Sequence, residues 1–172
     1  SDGGRAQIFV RWMGTGGTAR ITQLPAAPGN LAWSPDGRWI AFTMFVKSDS
    51  KPLSPQLPTP PEGAQWAPPA KVIDMVLYRA DGGGYLEPGY SHLFVVPAEG
   101  GAARQVTRGD HPFGGTPCWT RDGKGLLVST NLDPEWEHQP VESDLYRIDV
   151  QSGEATRLTN RKGPDDLADL SP

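Results

Sequence analysis

The sequence repeats the stretch Leu31-Ala32-Trp33-Ser34-Pro35-Asp36-Gly37-Arg38, position for position, as Pro117-Cys118-Trp119-Thr120-Arg121-Asp122-Gly123-Lys124. Each copy leads directly into a short run rich in apolar residues, at 39–43 and at 125–130. Asp hydrogen-bonds to its own backbone in tight turns and Gly accepts a positive φ, so Asp-Gly between two such runs is typical of a β-hairpin. We therefore predict a β-hairpin at each copy.

A second unit occurs three times, as Ile8-Phe9-Val10, Leu93-Phe94-Val95 and Leu145-Tyr146-Arg147. In each copy the central aromatic residue precedes the next strand's apolar residue by twelve positions. Each copy also has a glycine in its turn and a threonine after its last strand: Gly16 and Thr22, Gly101 and Thr107, Gly153 and Thr159. A fixed register in three copies predicts three further hairpins of one kind.

The two kinds of hairpin alternate along the chain, and two consecutive hairpins make a four-stranded antiparallel sheet. We predict an all-β fold, a partial β-propeller within one domain spanning 1–172, with about two complete blades and partial blades on either side. The predicted units are an outer half-blade at 5–24, a blade at 30–108 that carries an insertion at 47–91, a compact blade at 115–160, and the start of another at 168–172.

The last residues, Ser171-Pro172, match Ser34-Pro35, so we expect the sequence to be a piece of a longer protein that stops within a turn. A β-sandwich is the alternative, because it also has short strands separated by turns. A sandwich does not require its hairpins to repeat in sequence. The repeats therefore favour the propeller.

Composition excludes several classes of function. The 172 residues are 37% hydrophobic and 21% charged, as in ordinary globular domains. The net charge is −4 and no run of Lys or Arg is present, so we expect no nucleic-acid partner. Cys118 is the single cysteine, and no Cys/His spacing predicts a zinc site. No apolar run approaches the roughly 20 residues of a membrane helix, so no membrane partner is expected.

No segment predicts catalysis. A serine hydrolase would carry Gly-x-Ser-x-Gly, which exposes its nucleophile on a sharp turn. The nearest match, at 89–93, has Leu93 in place of the second glycine and is predicted to start a strand, with His92 as a polar residue at the strand edge. The glycine runs are turns, because neither opens a helix nor precedes the lysine of a phosphate loop. We expect no catalytic, cofactor-binding or metal-binding residue.

The insertion and the loop at 133–140 are the candidate contact surfaces. Seven prolines between residues 51 and 69 predict a surface loop outside the sheets, and a Pro-rich ligand for an aromatic groove is the alternative. Residues 72–78 predict a strand that 81–84 turns back. The candidate contact residues are the aromatic and charged side chains of these two regions: Trp66, Tyr85, Tyr90, Glu135, Trp136, Glu137 and His138.

Two interpretations of these residues remain open. The carboxylates, the indole and the imidazole of the 133–140 loop would suit a substrate amine or a partner's cation. Alternatively, the charges are only solvated and the aromatic residues pack the insertion against its own blade.

The repeat resembles those of TolB-like proteins and of the propellers of prolyl-oligopeptidase-family serine peptidases. The segments Pro61–Pro69, Lys71–Asp74 and Arg79–Tyr85 more specifically resemble bacterial acylaminoacyl peptidases and dipeptidyl aminopeptidases. The resemblance implies a non-catalytic propeller that restricts peptide access to a C-terminal α/β-hydrolase domain, and it implies that domain and its peptide substrate as partners. It also points to a bacterial, periplasmic or secreted parent, with a cytoplasmic location left open.

Two other functions stay open at this point. One is a TolB-like interaction propeller with no attached enzyme, and the other is a propeller fused to a metal-dependent amidohydrolase. In either case an open set of blades leaves unpaired strand edges, so we expect self-association.

Overall fold

The computed structural model describes residues 5–48, 61–64, 73 and 75–166. Apart from a single turn of 3₁₀ helix at Trp136–His138, the regular structure in these ranges is β. The strands are β1 Phe9–Arg11, β2 Thr18–Arg20, β3 Pro28–Trp33, β4 Trp39–Lys47, β5 Arg79–Ala80, β6 Gly84–Tyr85, β7 Gly89–Pro97, β8 Arg104–Gln105, β9 Cys118–Trp119, β10 Gly125–Thr130, β11 Asp144–Asp149 and β12 Ala155–Arg157. No helix in the described ranges has the length and apolar character needed to span a membrane.

Eight of the strands form two antiparallel sheets of four. The first sheet has the order β3-β4-β7-β8 and the second β9-β10-β11-β12, while β1–β2 and β5–β6 are separate hairpins. Register repeats between the matched hairpins. In the Asp-Gly hairpins the matched pairs are Trp33↔Ile40 and Trp119↔Leu126, and in the other three they are Phe9↔Arg20, Phe94↔Gln105 and Tyr146↔Arg157.

The Asp-Gly turns are closed by identical hydrogen bonds. The Ser34 hydroxyl donates to Asp36 (2.6 Å) and accepts the backbone N–H of Trp39 (2.9 Å), and Asp36 also accepts the N–H of Arg38 (3.0 Å). The second turn repeats each bond with its matched residues: Thr120 to Asp122 at 2.6 Å, Lys124 to Asp122 at 3.0 Å and Gly125 to Thr120 at 2.8 Å. Both hydrogen bonds lower the pKa of the two aspartate carboxyl groups. The bond from the hydroxyl has the larger effect and the bond from the backbone N–H the next largest.

A threonine closes each hairpin of the second kind. The hydroxyl oxygens of Thr22, Thr107 and Thr159 accept the backbone N–H of the first apolar residue in each repeat unit, from Ile8 (2.9 Å), Leu93 (3.0 Å) and Leu145 (2.9 Å). The residue just before that N–H bonds to the same hydroxyl, and it differs between copies: Gln7 (3.0 Å), His92 (3.3 Å) and Asp144 (3.3 Å). We call this three-part arrangement the threonine lock.

The first sheet is packed on both faces, because successive apolar residues of its strands point alternately to one face and to the other. One face meets the second sheet through Ala41, Leu93, Val95 and Val106 on one side and Trp119, Leu126, Val128, Tyr146 and Ile148 on the other. The opposite face meets the β1–β2 hairpin through Ile40, Phe42, Met44, Phe94 and Val96 on the sheet and Ile8, Val10, Ile21 and Leu24 on the hairpin. Successive units therefore stack face to face.

Antiparallel pairing separates short connections from long ones. The turns within β1–β2, β3–β4, β7–β8, β9–β10 and β11–β12 lie at one end of the stack, which we call the turn end. The opposite end, the loop end, carries the insertion between β4 and β7, the loop between β10 and β11, and the connection from β8 to β9. Long loops from adjacent sheets therefore meet at the loop end.

Three local predictions differ from the structure. Residue 73 and residues 75–78 are not in a strand, and the strand before the 81–84 turn is the two-residue β5. His92 is not an edge residue, because β7 begins at Gly89 and buries the imidazole within the sheet. The repeat also predicts Cys118 as a small core residue, because it stands beside Trp119 as Ala32 stands beside Trp33, but the structure leaves it half-buried. For β7, pairing with the distant strand β4 extends the strand back to Gly89 and places His92 inside it.

Candidate functional site

The loop between β10 and β11 is held in shape by its own side chains. The side-chain amide oxygen of Asn131 accepts the backbone N–H of Asp133 (3.0 Å), and the Asp133 carboxylate accepts the backbone N–H of Glu135 (2.8 Å). The Asn131 amide also donates to the Gln139 carbonyl (3.2 Å), which ties the two sides of the loop together. These bonds hold the 3₁₀ turn that presents Trp136.

Trp136 is the centre of the contacts at the loop end. Its indole N–H donates to the carbonyl of Asp110 (3.1 Å), in the connection between the two sheets. The ring of Tyr90 meets it edge to face at 5.9 Å between centroids, and the ring of His111 lies at 6.5 Å. One indole thus joins β7 of the first sheet, the connecting segment and the second sheet.

Glu137 extends these contacts to the insertion. Its carboxylate accepts the backbone N–H of Val76 at 3.0 Å, although the two residues are 61 positions apart. The insertion is also closed at its base, where Ser48 donates to the Pro88 carbonyl (3.1 Å) and Lys47 pairs with Glu87 (2.8 Å). We call Val76, Tyr90, His111, Trp136 and Glu137 the loop-end cluster.

The structure brings together three of the seven candidate contact residues, Tyr90, Trp136 and Glu137. Tyr85 lies in β6, exposed, with the ring of Tyr78 at 6.2 Å. Glu135 and His138 are exposed to solvent and 3.9 Å apart. Trp66 lies outside the described residues.

Sequence reasoning did not assign Val76 or His111 to this cluster. Val76 contributes a backbone N–H, which no side-chain pattern reveals. His111 stands in a segment of Gly and Pro, and only the fold places it beside Trp136. The Nδ1 atom of His111 is enclosed and makes no hydrogen bond within the part of the chain that the structure describes.

The cluster is arranged for contact and not for nucleophilic chemistry. His92, the histidine next to Ser91, bonds to Thr107 and packs against Phe113, and burial lowers its pKa. Glu137 already accepts a backbone N–H, so its carboxylate positions the insertion. Over the described ranges, no group of three or more His, Cys, Asp or Glu residues is placed to hold a metal ion.

A groove of about 780 Å³ lies at the turn end, between Trp39 and Arg104 of the first sheet and Lys124 and Asp149 of the second. Asp149 caps its own turn there by accepting N–H groups from Ser152 (2.9 Å) and Gln151, and these bonds lower its pKa. The aspartate is therefore committed to the turn. The groups of the groove that could contact a ligand are the cationic side chains of Arg104 and Lys124 and the exposed indole of Trp39.

Comparison with solved structures identifies the fold. An acylaminoacyl peptidase from Pyrococcus horikoshii matches 90% of the chain with a TM-score of 0.58 and 18% identity, and TolB from Acinetobacter baumannii matches 93% with a TM-score of 0.52 and 16% identity. The described residues are blades of a β-propeller. The predicted fold class is confirmed, and so is the recognised similarity to TolB and acylaminoacyl-peptidase propellers.

Among curated proteins, the propeller is 26% identical over 151 residues to a Bacillus subtilis protein named as the uncharacterized peptidase YuxL. That alignment covers 84% of the chain and 21% of the peptidase, and the two structural matches cover 21% and 28% of theirs. The propeller thus spans between a fifth and three tenths of each of these relatives. No protein-family model matches it.

Proposed function

We propose that the chain is the non-catalytic propeller of a serine peptidase of the prolyl-oligopeptidase family, and that it restricts peptide access to a C-terminal α/β-hydrolase domain. The observation that carries the proposal is the alignment with the curated peptidase over 84% of the chain. The propeller similarity to acylaminoacyl peptidases supports it at the level of fold.

The loop-end cluster is our candidate for the contact surface of this propeller. Loops from two adjacent blades converge there, and loops that a rigid scaffold holds in place commonly carry binding residues. Trp136 and Tyr90 present aromatic rings that suit a peptide side chain or a neighbouring domain. Such contacts would select peptides by size and leave the chemistry to the hydrolase.

The test of the parent activity uses the full-length gene product. We expect a fluorophosphonate probe to label a serine in a Gly-x-Ser-x-Gly segment downstream of Pro172, with Asp and His following it, as the serine triad requires. Short acylated chromogenic peptides should be hydrolysed. A product with no labelled serine and no hydrolysis would exclude the peptidase.

Gating is tested separately, by the ratio of kcat/KM for a short acylated peptide to that for a peptide of about thirty residues. Trp136→Ala should change this ratio and leave kcat for the short peptide unaltered, because the residue touches no catalytic group. Val141→Ala, on the same loop but exposed, is the control. An unchanged ratio in Trp136→Ala would contradict gating through this cluster.

A second candidate is an interaction propeller of the TolB type with no attached enzyme. The match to TolB over 93% of the chain favours it. In that case the fluorophosphonate probe should label no serine. Affinity capture with the full-length protein should recover a partner that the Trp136→Ala variant loses and the Val141→Ala variant retains.

A further inference from the structure

One wall of the turn-end groove continues the face of the first sheet that packs on the second. Ala41 and Arg104 both pair with Val95, so the Arg104 side chain lies on the same face as these two core residues. Trp39 precedes Ala41 by two positions in β4 and therefore shares that face. The guanidinium of Arg104 and the indole of Trp39 thus line the same side of the groove.

The floor of the groove is apolar. Trp119 is buried in the core between the two sheets, and Val150 packs against the same core. Val150 donates its backbone N–H to the Lys124 carbonyl at 2.9 Å, which places both residues just beyond the ends of β10 and β11. The groove of about 780 Å³ has the size of pockets that bind small ligands, about 300–1,000 Å³.

The aspartates beside the groove direct their carboxylates into their own turns. Asp122 accepts the Thr120 hydroxyl and the N–H of Lys124, and Asp149 accepts two backbone N–H groups. Lys124 also lies close enough to Asp122 for their charges to interact. Arg104 forms no ion pair with any residue that the structure describes, although the chain as a whole has a net charge of −4. Arg104 is therefore the cation of the groove that is available to an external anion.

The combination of a guanidinium, an indole and an apolar floor selects the class of ligand. A guanidinium forms paired hydrogen bonds with a carboxylate, and an indole packs against an apolar side chain. Both groups line one groove, so the carboxylate and the apolar group of the ligand must lie close together. The last residue of a peptide carries both on a single Cα, and capture of a C-terminal carboxylate is a common mode of peptide recognition.

We propose that the turn-end groove binds the C-terminal carboxylate of a peptide whose last residue is apolar. Arg104 holds the carboxylate, and Lys124 adds to the positive potential. The last side chain packs between Val150 and Trp39. The preceding residues of the peptide continue past Trp39 into an adjoining groove of about 360 Å³, which Pro35 and the two Asp-Gly turns line.

This site is independent of the peptidase activity proposed above, because it lies at the end of the stack opposite the loop-end cluster. Its test uses the full-length protein after treatment with the fluorophosphonate probe, so that no reactive serine cleaves the ligand. The ligand is N-acetyl-Ala-Ala-p-benzoylphenylalanine with a free C-terminal carboxylate. We expect its photo-crosslinks, mapped by mass spectrometry, at Trp39 and at residues 148–152.

Two comparisons test the role of the carboxylate. The same peptide with a C-terminal amide should crosslink at these residues about tenfold less, because a hydrogen bond between charged groups is lost. Arg104→Gln should reduce crosslinking of the free acid by a similar factor, and Lys124→Gln should reduce it less. Arg104 is exposed, so its substitution should leave the thermal unfolding temperature unchanged. Arg79→Gln, which alters an exposed arginine of β5, is the matched control and should behave like the parent.

Competition distinguishes a peptide C terminus from other anions. Unlabelled N-acetyl-Ala-Ala-Phe with a free carboxylate should compete with the crosslinking peptide, whereas N-acetyl-Ala-Glu-Ala-amide and inorganic phosphate should compete poorly. Equal competition by the internal glutamate or by phosphate would overturn the proposal, since the groove would then bind anions in general. Equal crosslinking of acid and amide, or crosslinks only at other residues, would overturn it as well.

Discussion

His92 stands in the threonine lock where the other hairpins have Gln7 and Asp144, and it is the copy that carries an imidazole. Its imidazole is 4% exposed, packs against Phe113, and bonds to Thr107 and to the backbone of Gly109. Burial is the main cause of its lowered pKa, and the nearby Asp110 and Arg108 act in opposite directions. The neutral imidazole is therefore the form that the fold stabilises.

We predict that stability falls as the pH decreases from about 7 to 5. As the pH falls, the unfolded chain takes up the proton first, near the ordinary pKa of 6.5. Below that pH the free energy of unfolding falls by up to about 1.4 kcal/mol per pH unit for this one proton, until the pKa of the folded state is reached. His92→Gln, which copies the residue at Gln7, should remove that part of the slope. Urea unfolding at pH 5, 6 and 7.5 measures it, and an unchanged slope in His92→Gln would show that other groups cause the dependence.

Gly153 illustrates a glycine that close packing requires. Its φ is +77°, and a Cβ there would overlap the carbonyl oxygen of Val106 in the preceding sheet. Gly16 occupies the matched turn position with φ +71° and open space around it. Both glycines avoid strain in the turn, but Gly153 also allows the two sheets to approach.

We predict that Gly153→Ala destabilises the fold by about 1–3 kcal/mol more than Gly16→Ala, which should cost only about 1 kcal/mol for its positive φ. The free energy of unfolding of the two variants in urea gives the comparison. Equal losses would mean that the sheets move apart at Val106 without cost.

At the scale of the element, the threonine lock gives a backbone N–H of the facing strand a side-chain hydroxyl as its acceptor. Thr107 is buried, and its hydroxyl serves both Leu93 and His92. Removing the hydroxyl leaves a buried N–H without an acceptor, which costs more than the bond itself contributes. The lock should thus matter most in the hairpin that is packed on both faces.

Thr107→Val should lower the free energy of unfolding by about 1–3 kcal/mol, because it keeps the shape and loses the hydroxyl. Thr107→Ser keeps the hydroxyl and should retain the hydrogen bond to Leu93. Amide exchange at Leu93, followed by mass spectrometry or NMR, distinguishes them: it should accelerate in Thr107→Val and stay slow in Thr107→Ser. Equal exchange in both would refute the lock.

The bond between Glu137 and Val76 gives a prediction for the insertion. Glu137→Ala removes the acceptor, so the Val76 amide should exchange with solvent several times faster. Glu137→Gln keeps a carbonyl oxygen in the same place and should slow exchange nearly as well as the parent residue. If both variants exchange like the parent, the insertion is held by other contacts.

Much of the sheet architecture was predictable, because the repeats carry their register in their spacing. The twelve-residue interval in the second kind of hairpin corresponds to one pairing pattern, Phe9↔Arg20 and its two equivalents. The three polar residues of the threonine locks, Gln7, His92 and Asp144, also occupy the same position in the repeat. Their bonding did not follow from the alignment, because Gln, His and Asp share no pattern beyond a polar side chain.

The candidate site was predictable only in part. Trp136 and Tyr90 stood out as aromatic residues in loops, and the fold brings their rings together. Glu135 and His138, from the same loop as Trp136, face solvent because the 3₁₀ turn directs Trp136 toward Tyr90 and Glu137 toward Val76. Such a division within four consecutive residues depends on a turn type that the sequence did not specify.

At the scale of the whole molecule, Leu31 and Trp33 of β3 are two apolar side chains that are each about half exposed. Exposed apolar area beside an unpaired strand edge promotes association between chains. We predict that the 172-residue chain on its own self-associates as its concentration rises. Trp33→Ser should weaken this association, and Trp39→Ser, at the turn end, should leave it unchanged.

Sedimentation velocity over a hundredfold range of concentration tests this prediction. A 172-residue chain that remains monomeric throughout would contradict the prediction, and so would equal effects of Trp33→Ser and Trp39→Ser.

The common geometry of the threonine locks also has a consequence for protein engineering. Each outer hairpin begins with a polar residue, ends with a threonine, and pairs at the same offset, so its attachment to the sheet does not depend on what lies in its turn. The turns of β1–β2, β7–β8 and β11–β12 could therefore be exchanged without changing how each hairpin is attached. A binding sequence grafted into one turn would inherit a fixed orientation from the lock.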